Sequence, residues 1–164
     1  MSSAGSGRII YLASEIPMIW KPNVTVAAII EHDGKFLLVE EETADGIMFN
    51  QPAGHLENGE TLLAGVVREA WEETAHHFEP TGLLGVYHWK HPDKDITYLR
   101  FAFVGNINGF DADQKLDDGI LRAVWMTPDE ISATQDRHRS PQVLTCVEHY
   151  LAGQCFPLSV LTHL

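Results

Sequence analysis

Between Gly54 and Glu73 the chain reads GHLENGETLLAGVVREAWEE, and its three carboxylates Glu69, Glu72 and Glu73 fall at helical offsets of zero, three and four. At about 100° per residue these glutamates cover an arc of roughly 100°, while Leu63, Val66, Val67 and Ala70 gather on the far side. The apolar side must face a core, which leaves the acidic stripe looking outward into solvent or a cleft. Like charges at such spacings repel by about a few tenths of a kcal/mol per pair, and Glu72 and Glu73 lie near the helix end where the backbone dipole disfavours anions. A solvated acidic face is one reading. A cation site is the other, and hard oxygen donors suit magnesium or manganese better than zinc.

The segment ahead of the helix has fixed spacing with it. Gly54 is followed after five residues by Glu60, after seven more by Arg68-Glu69, then by Ala70, one spacer, and Glu72-Glu73. This resembles the Nudix box, in which a glycine, a glutamate, an arginine-glutamate pair and a glutamate pair stand at these intervals. With residue usage near one in fifteen, six identities at a given start arise by chance with a frequency on the order of 10⁻⁷. The match departs at its end, where Ala75 stands in place of a glycine and His76 in place of an aliphatic residue. A left-handed position closing the helix would cost Ala75 about 1 kcal/mol relative to glycine.

The resemblance implies a division of labour. Glu69, Glu72 and Glu73 would bind a divalent metal, Mg²⁺ or Mn²⁺, together with the backbone carbonyl of Gly54. Arg68 would hold either Glu60 or Glu73 by paired hydrogen bonds, a task suited to its planar fork. Arg68, Glu69, Glu72 and Glu73 form the catalytic set, Glu60 is structural, and either Glu69 or Glu72 serves as base. The substrate is a small molecule carrying a diphosphate. Further phrases (Lys21 to Val26, Asn50 to Glu57, His88-Trp89, Pro92 to Lys94, Leu99 to Phe101, Arg139 to Pro141) resemble the NudJ-type branch of bacterial phosphatases, with coverage from about Ile19 to Leu158. Members of that branch remove phosphate from nucleoside tri- and diphosphates and from hydroxymethylpyrimidine diphosphate, a thiamine precursor, with magnesium.

Composition narrows the alternatives. A chain of 164 residues makes one domain able to bury a proper core. Its formal charge of −12 argues against a nucleic-acid polymer as partner, since such binding needs clustered Lys and Arg. No apolar stretch reaches the roughly 20 residues that span a bilayer. Cys146 and Cys155 lack metal-type spacing and read as reduced thiols of a cytoplasmic protein, monomeric or homodimeric. Residues 1–17 read as an N-terminal extension without the pattern of a secretory signal, ahead of a Nudix domain over 18–164.

Periodicity predicts strands at Val24 to Ile30 and Lys35 to Glu40 around His32-Asp33-Gly34, a polar loop from Thr43 to Ile47 and a short strand from Met48 to Pro52. The box helix runs from an N-cap at Thr61 to Ala75, with His76-His77 at its exposed end. A second hairpin pairs Leu83 to Lys90 with Thr97 to Asn106, and a loop from Asn108 to Gly119 precedes a strand at Leu121 to Met126. Thr127 with Pro128 after it caps a short helix through Ala133, and Ser140-Pro141 starts the last helix, to about Leu151. This order fits an α+β class, the α/β/α sandwich of the Nudix fold.

Outside the box, Asp117 and Asp118 stand where Nudix enzymes often place an additional acid, although loop aspartates also form turns. Arg100 interrupts an apolar strand and either reaches solvent or points into the cleft at a phosphate. Trp89 can stack on a base ring or fill the core. Gln51, His55 and Lys90 can contact base or phosphate, or simply be solvated. Two functions remain open: a metal-dependent phosphohydrolase, which needs every box carboxylate, and a silent Nudix domain serving as a nucleotide sensor or interaction module, which would show loss at Glu69, Glu72 or Glu73.

Overall fold

The computed structural model describes residues 19–164; the expectation for residues 1–17 lies outside the described residues. Seven strands form a mixed sheet: β1 (Asn23–His32), β2 (Lys35–Thr43), β3 (Gly46–Asn50), β4 (Ala53–His55), β5 (His76–Lys90), β6 (Thr97–Phe110) and β7 (Ile120–Met126). Helix α1 (Leu62–Thr74) covers one face, and α2 (Pro128–Ala133) with α3 (Gln142–Leu151) covers the other. The layers are those of the expected α/β/α sandwich.

Strand β1 is the hinge of this arrangement. Its even positions Val26, Ala28 and Ile30 pack with Val66 and Ala70 of α1, whereas Ala27 and Ile29 pack with Val143, Cys146 and Val147 of α3. A strand buried on both faces reads as the continuous apolar run seen here. Residues Asn23 to Ile30 run parallel to Tyr98 to Gly105 of β6, and Thr25 to Ala27 pair with β4 on the other edge. Only Glu31 and His32 pair with β2, across a turn in which Asp33 and Gly34 both have positive φ, as a two-residue type I′ connection requires. The sheet therefore divides into a β4-β1-β6-β5 half and a β3-β2-β7 half, joined at that turn and parted toward the start of β1.

Several expected boundaries shift. Strand β3 begins at Gly46, so the loop predicted over Thr43 to Ile47 shrinks to a tight turn, closed by Thr43 Oγ1 donating to the Gly46 carbonyl at 2.8 Å. Strand β5 begins at His76, directly after the helix, because register shifts near Phe78, Gly82 and Gly85 let it follow β6 through Pro80 and Gly82. Those shifts break the alternation that periodicity relies on. His76 is consequently half-buried against Phe110 and Trp125, and is not at an exposed helix end. Val67 is exposed rather than core-facing, and Leu63 is half-buried. The helix does stop at Ala75, which takes the left-handed conformation (φ 61°) despite its side chain and sends its N–H to the Trp71 carbonyl.

Gly105 sits where β6 passes the bulged part of β5, and a Cβ there would overlap the Glu79 carbonyl oxygen and crowd Pro80. Backbone cannot yield as a flexible side chain would. Gly105→Ala is expected to lower unfolding free energy by about 1–3 kcal/mol in a denaturant titration.

Candidate active site

Arg68 organises the acidic helix. Its Nε donates to Glu60 Oε1 at 2.8 Å and its Nη2 to Glu60 Oε2 at 3.0 Å, a fork-on-fork pair. Nη2 also donates to the His55 carbonyl at 3.1 Å, while Nη1 donates to Glu69 Oε1 at 2.7 Å and Glu72 Oε2 at 2.9 Å. Of the two partners expected for the arginine fork, Glu60 is the one it holds. The guanidinium keeps the Glu60 carboxyl below its ordinary range. Glu60 in turn accepts from the Glu57 N–H, and Thr61 caps α1 by accepting from the Ala64 N–H. Loop, helix start and acidic stripe are thus one bonded unit.

The stripe is not an open face. Glu69 and Glu73 are only 6 % and 9 % exposed, with Gly54 and Ala53 of β4 against them. Glu73 accepts from the Ala53 N–H at 2.9 Å. Burial raises the Glu69 carboxyl above its ordinary value against the pull of Arg68, and it pushes Glu73 up to about 8. A Cβ on Gly54 would overlap the Glu69 carboxylate, so only glycine permits β4 to approach the helix this closely. Asp117 donates its backbone N–H to the Glu72 carbonyl at 3.0 Å, and burial and Glu72 raise its carboxyl. Asp118 does not join the group; it is exposed and pairs with Lys115 at 3.4 Å.

Among the described residues no three His, Cys, Asp or Glu side chains already converge as a metal cage. Arg68 engages Glu69 and Glu72, and Ala53 engages Glu73. The donor set nevertheless fits a hard divalent ion: the oxygens are carboxylates, two are desolvated without full charge compensation, and Gly54 leaves the approach free of side chain.

Gly54 also edges a cleft of about 250 Å³ between the two sheet halves. That is below the roughly 300–1,000 Å³ of sites enclosing drug-sized ligands, so the cleft takes part of a substrate rather than all of it. Arg100, buried, forms its floor and donates to Gln51 Oε1 at 3.1 Å and Asn50 Oδ1 at 3.2 Å. Gln51 is itself buried and donates to the Val143 carbonyl at 2.8 Å, so it supports Arg100 and is absent from the cleft wall. Trp89 stacks on Tyr98 with ring centroids 5.8 Å apart and planes 17° from parallel, and His55 lies beyond Tyr98. Lys90 points away and pairs with the exposed Asp95 at 3.5 Å; Lys94 reaches the cleft in its place.

Sequence reasoning missed Thr25, Glu41, Asn50 and Tyr98, all on the cleft wall. Glu41 follows Phe36-Leu37-Leu38-Val39-Glu40 and resembles the solvated end of a strand. A register shift between Glu40 and Glu41 turns consecutive acids toward the same segment, Glu40 to Arg137 and Glu41 to Arg139. Nothing in the sequence marks that shift.

The sequence profile of the NUDIX domain matches residues 20–145. The chain belongs to the Nudix family. It is 38% identical over 143 residues to phosphatase NudJ of Escherichia coli K12, a match covering 87% of this chain and 92% of NudJ. A Nudix hydrolase from Nitrosomonas europaea is 52% identical, with a TM-score of 0.85, covering 88% of this chain and 98% of the other. The fold is also that of a UDP-X diphosphatase, at 19% identity and a TM-score of 0.67, covering 85% of this chain and 67% of that one. The protein is thus a Nudix hydrolase, an enzyme acting on phosphoric anhydrides of small phosphorylated molecules, and Nudix hydrolases generally use divalent metal ions. No helix among the described residues is long and apolar enough to cross a membrane.

The buried Nudix carboxylates set the pH dependence of stability without metal. A carboxyl whose folded pKa is raised stabilises the fold below its unfolded value, near 4.3, and loses that contribution as pH rises through the folded value, about 8 for Glu73. Glu60 has the opposite sign, but its contribution is already complete above its unfolded value. Burial lowers His76 and His138 below the ordinary histidine value, so their titration moves away from the alkaline side. In a chelator the melting temperature should therefore fall between about pH 6.8 and 8.5, magnesium should restore more at the higher pH, and Glu73→Gln should flatten the slope. Thermal melts with and without Mg²⁺ check this.

Proposed function

We propose that this Nudix hydrolase is a magnesium-dependent, NudJ-like phosphatase that releases phosphate from nucleoside tri- and diphosphates and from hydroxymethylpyrimidine diphosphate. The observation that carries the reading is the Arg68 fork holding Glu60 while bonded to Glu69 and Glu72, with Glu73 buried beside them. A silent sensor domain has no reason to keep such a costly arrangement of buried carboxylates. The substrate class is supported by the likeness to NudJ over nearly its whole length, and the cytoplasmic setting by the unpaired Cys146 and Cys155.

In this reading Glu69, Glu72 and Glu73 would hold the ion with the Gly54 carbonyl, and Mn²⁺ would substitute for Mg²⁺. When bound, it neutralises the diphosphate oxygens and lowers the pKa of water. Glu69 and Glu72 are free for this only by releasing Arg68 Nη1, and the fork to Glu60 keeps the guanidinium anchored as they do so. Of the two candidate bases, Glu72 is the less buried and the nearer to bulk water. Asp117 serves as an additional acid beside it, held by the bond from its N–H to the Glu72 carbonyl. Arg100 fixes the cleft floor on which the rest of the substrate lies.

The test is phosphate release from a panel of nucleoside di- and triphosphates, with and without Mg²⁺. Turnover should require the metal, and Glu73→Gln should lower it by about 10²-fold or more with ligand affinity largely kept. Orthophosphate should be the product; exclusive release of pyrophosphate from triphosphates would contradict the NudJ-like assignment. Binding of nucleotides without any turnover would leave the sensor module as the function.

A further inference from the structure

Among the described residues four buried side-chain polar atoms have no hydrogen-bond partner, and three of them, Thr25 Oγ1, Glu41 Oε1 and Arg100 Nε, belong to residues that line the same cleft. Leaving such a group unpaired is costly, because it has lost its water without gaining a partner. Three together, next to an aromatic wall, mark a surface shaped for something that supplies the missing partners. The three atoms are chemically distinct. Arg100 Nε–H donates only, an ionised Glu41 accepts only, and the Thr25 hydroxyl does either. Burial raises the Glu41 carboxyl above its ordinary value, while Arg139, whose Nε stands 3.7 Å from Glu41 Oε1, and Arg100 pull the other way, toward the ionised form.

A phosphate does not suit this end of the cleft. It brings acceptors alone and would meet the Glu41 carboxylate; its place is at Gly54, beside Glu69. What fits is a flat ring whose edge carries an N–H donor beside an acceptor atom, as the nucleobases and aminopyrimidines do. The N–H would go to the Glu41 carboxylate, and the ring face would lie on Trp89 and Tyr98. Pairing across the sheet fixes this geometry, since Thr25 is the direct neighbour of both His55 on β4 and Arg100 on β6, while Glu41 comes from the opposite half.

We infer that Glu41 is the specificity-determining residue of this enzyme, accepting an N–H from a nucleobase-type heterocycle held against the Trp89–Tyr98 wall. The assignment rests on the functional reading above for what the ring is attached to. Its selectivity is for ring-bearing diphosphates over those whose carrier is a sugar or an alkyl chain, because only the ring combines an N–H donor for Glu41 with a flat face for Trp89 and Tyr98.

The experiment separates the ring from the anhydride. Binding of cytidine 5′-monophosphate, adenosine 5′-monophosphate and ribose 5-phosphate is measured by titration calorimetry with the wild type, Glu41→Gln and Glu41→Leu, and melts confirm that each variant folds. The nucleotides should bind at least about tenfold tighter than ribose 5-phosphate, and the variants should lose at least about fivefold of nucleotide affinity while ribose 5-phosphate is unaffected. Equal affinity of the wild type for nucleotide and ribose 5-phosphate overturns the inference, and needs no variant. So does an equal weakening of both ligand types in the variants. Ring-dependent binding in a protein that releases no phosphate from any anhydride would remove the functional reading and leave Glu41 assigned; phosphate release without ring discrimination would do the reverse.

Discussion

The bond on which the rest depends is the fork between Arg68 and Glu60. It spans the loop and the helix, and it fixes one positive charge in the middle of a cluster of carboxylates that would otherwise repel one another. Burying one ion-pair partner is stabilising only when geometry and further hydrogen bonds offset desolvation, and here Arg68 has five such bonds to four residues. Because the fork consumes only part of the guanidinium, Glu69 and Glu72 can exchange their partner without loosening the scaffold. The two-point contact to Glu60 and the single contacts to Glu69 and Glu72 come from the same side chain.

A second constraint is the double burial of β1. Its alternating side chains serve both layers of the sandwich, so its position is fixed from both faces. From that fixed strand β4 brings Gly54 to the acidic helix, and β6 brings Arg100 to the cleft floor. The acidic helix and the cleft floor are set side by side along a few residues of one strand.

The box was legible in the sequence because its residues are tied to each other locally, by helical spacing and by one loop. Thr61 as cap, the Asp33-Gly34 turn, the α1 boundaries and the Thr127-Pro128 helix start were legible for the same reason. What the sequence hid depends on distant contacts. The length of β5 is decided by pairing with β6 through irregular register, which Pro80 and Gly82 disguise. The inward turn of Glu41, the internal role of Gln51 and the outward turn of Lys90 follow from a bulge, a bond to α3 and a strand end that no local pattern records. Ala75 shows the opposite case, a residue whose own preference is overruled because β5 must start there.

The parting of the sheet at the Asp33 turn has an evolutionary side. Glu41, Asp45 and Met48 enter the cleft from the β2–β3 hairpin, which carries none of the box residues. Changes in that hairpin reshape the cleft wall while the Arg68–Glu60 fork and the carboxylates of α1 keep their geometry, so the two parts of the fold are free to vary separately.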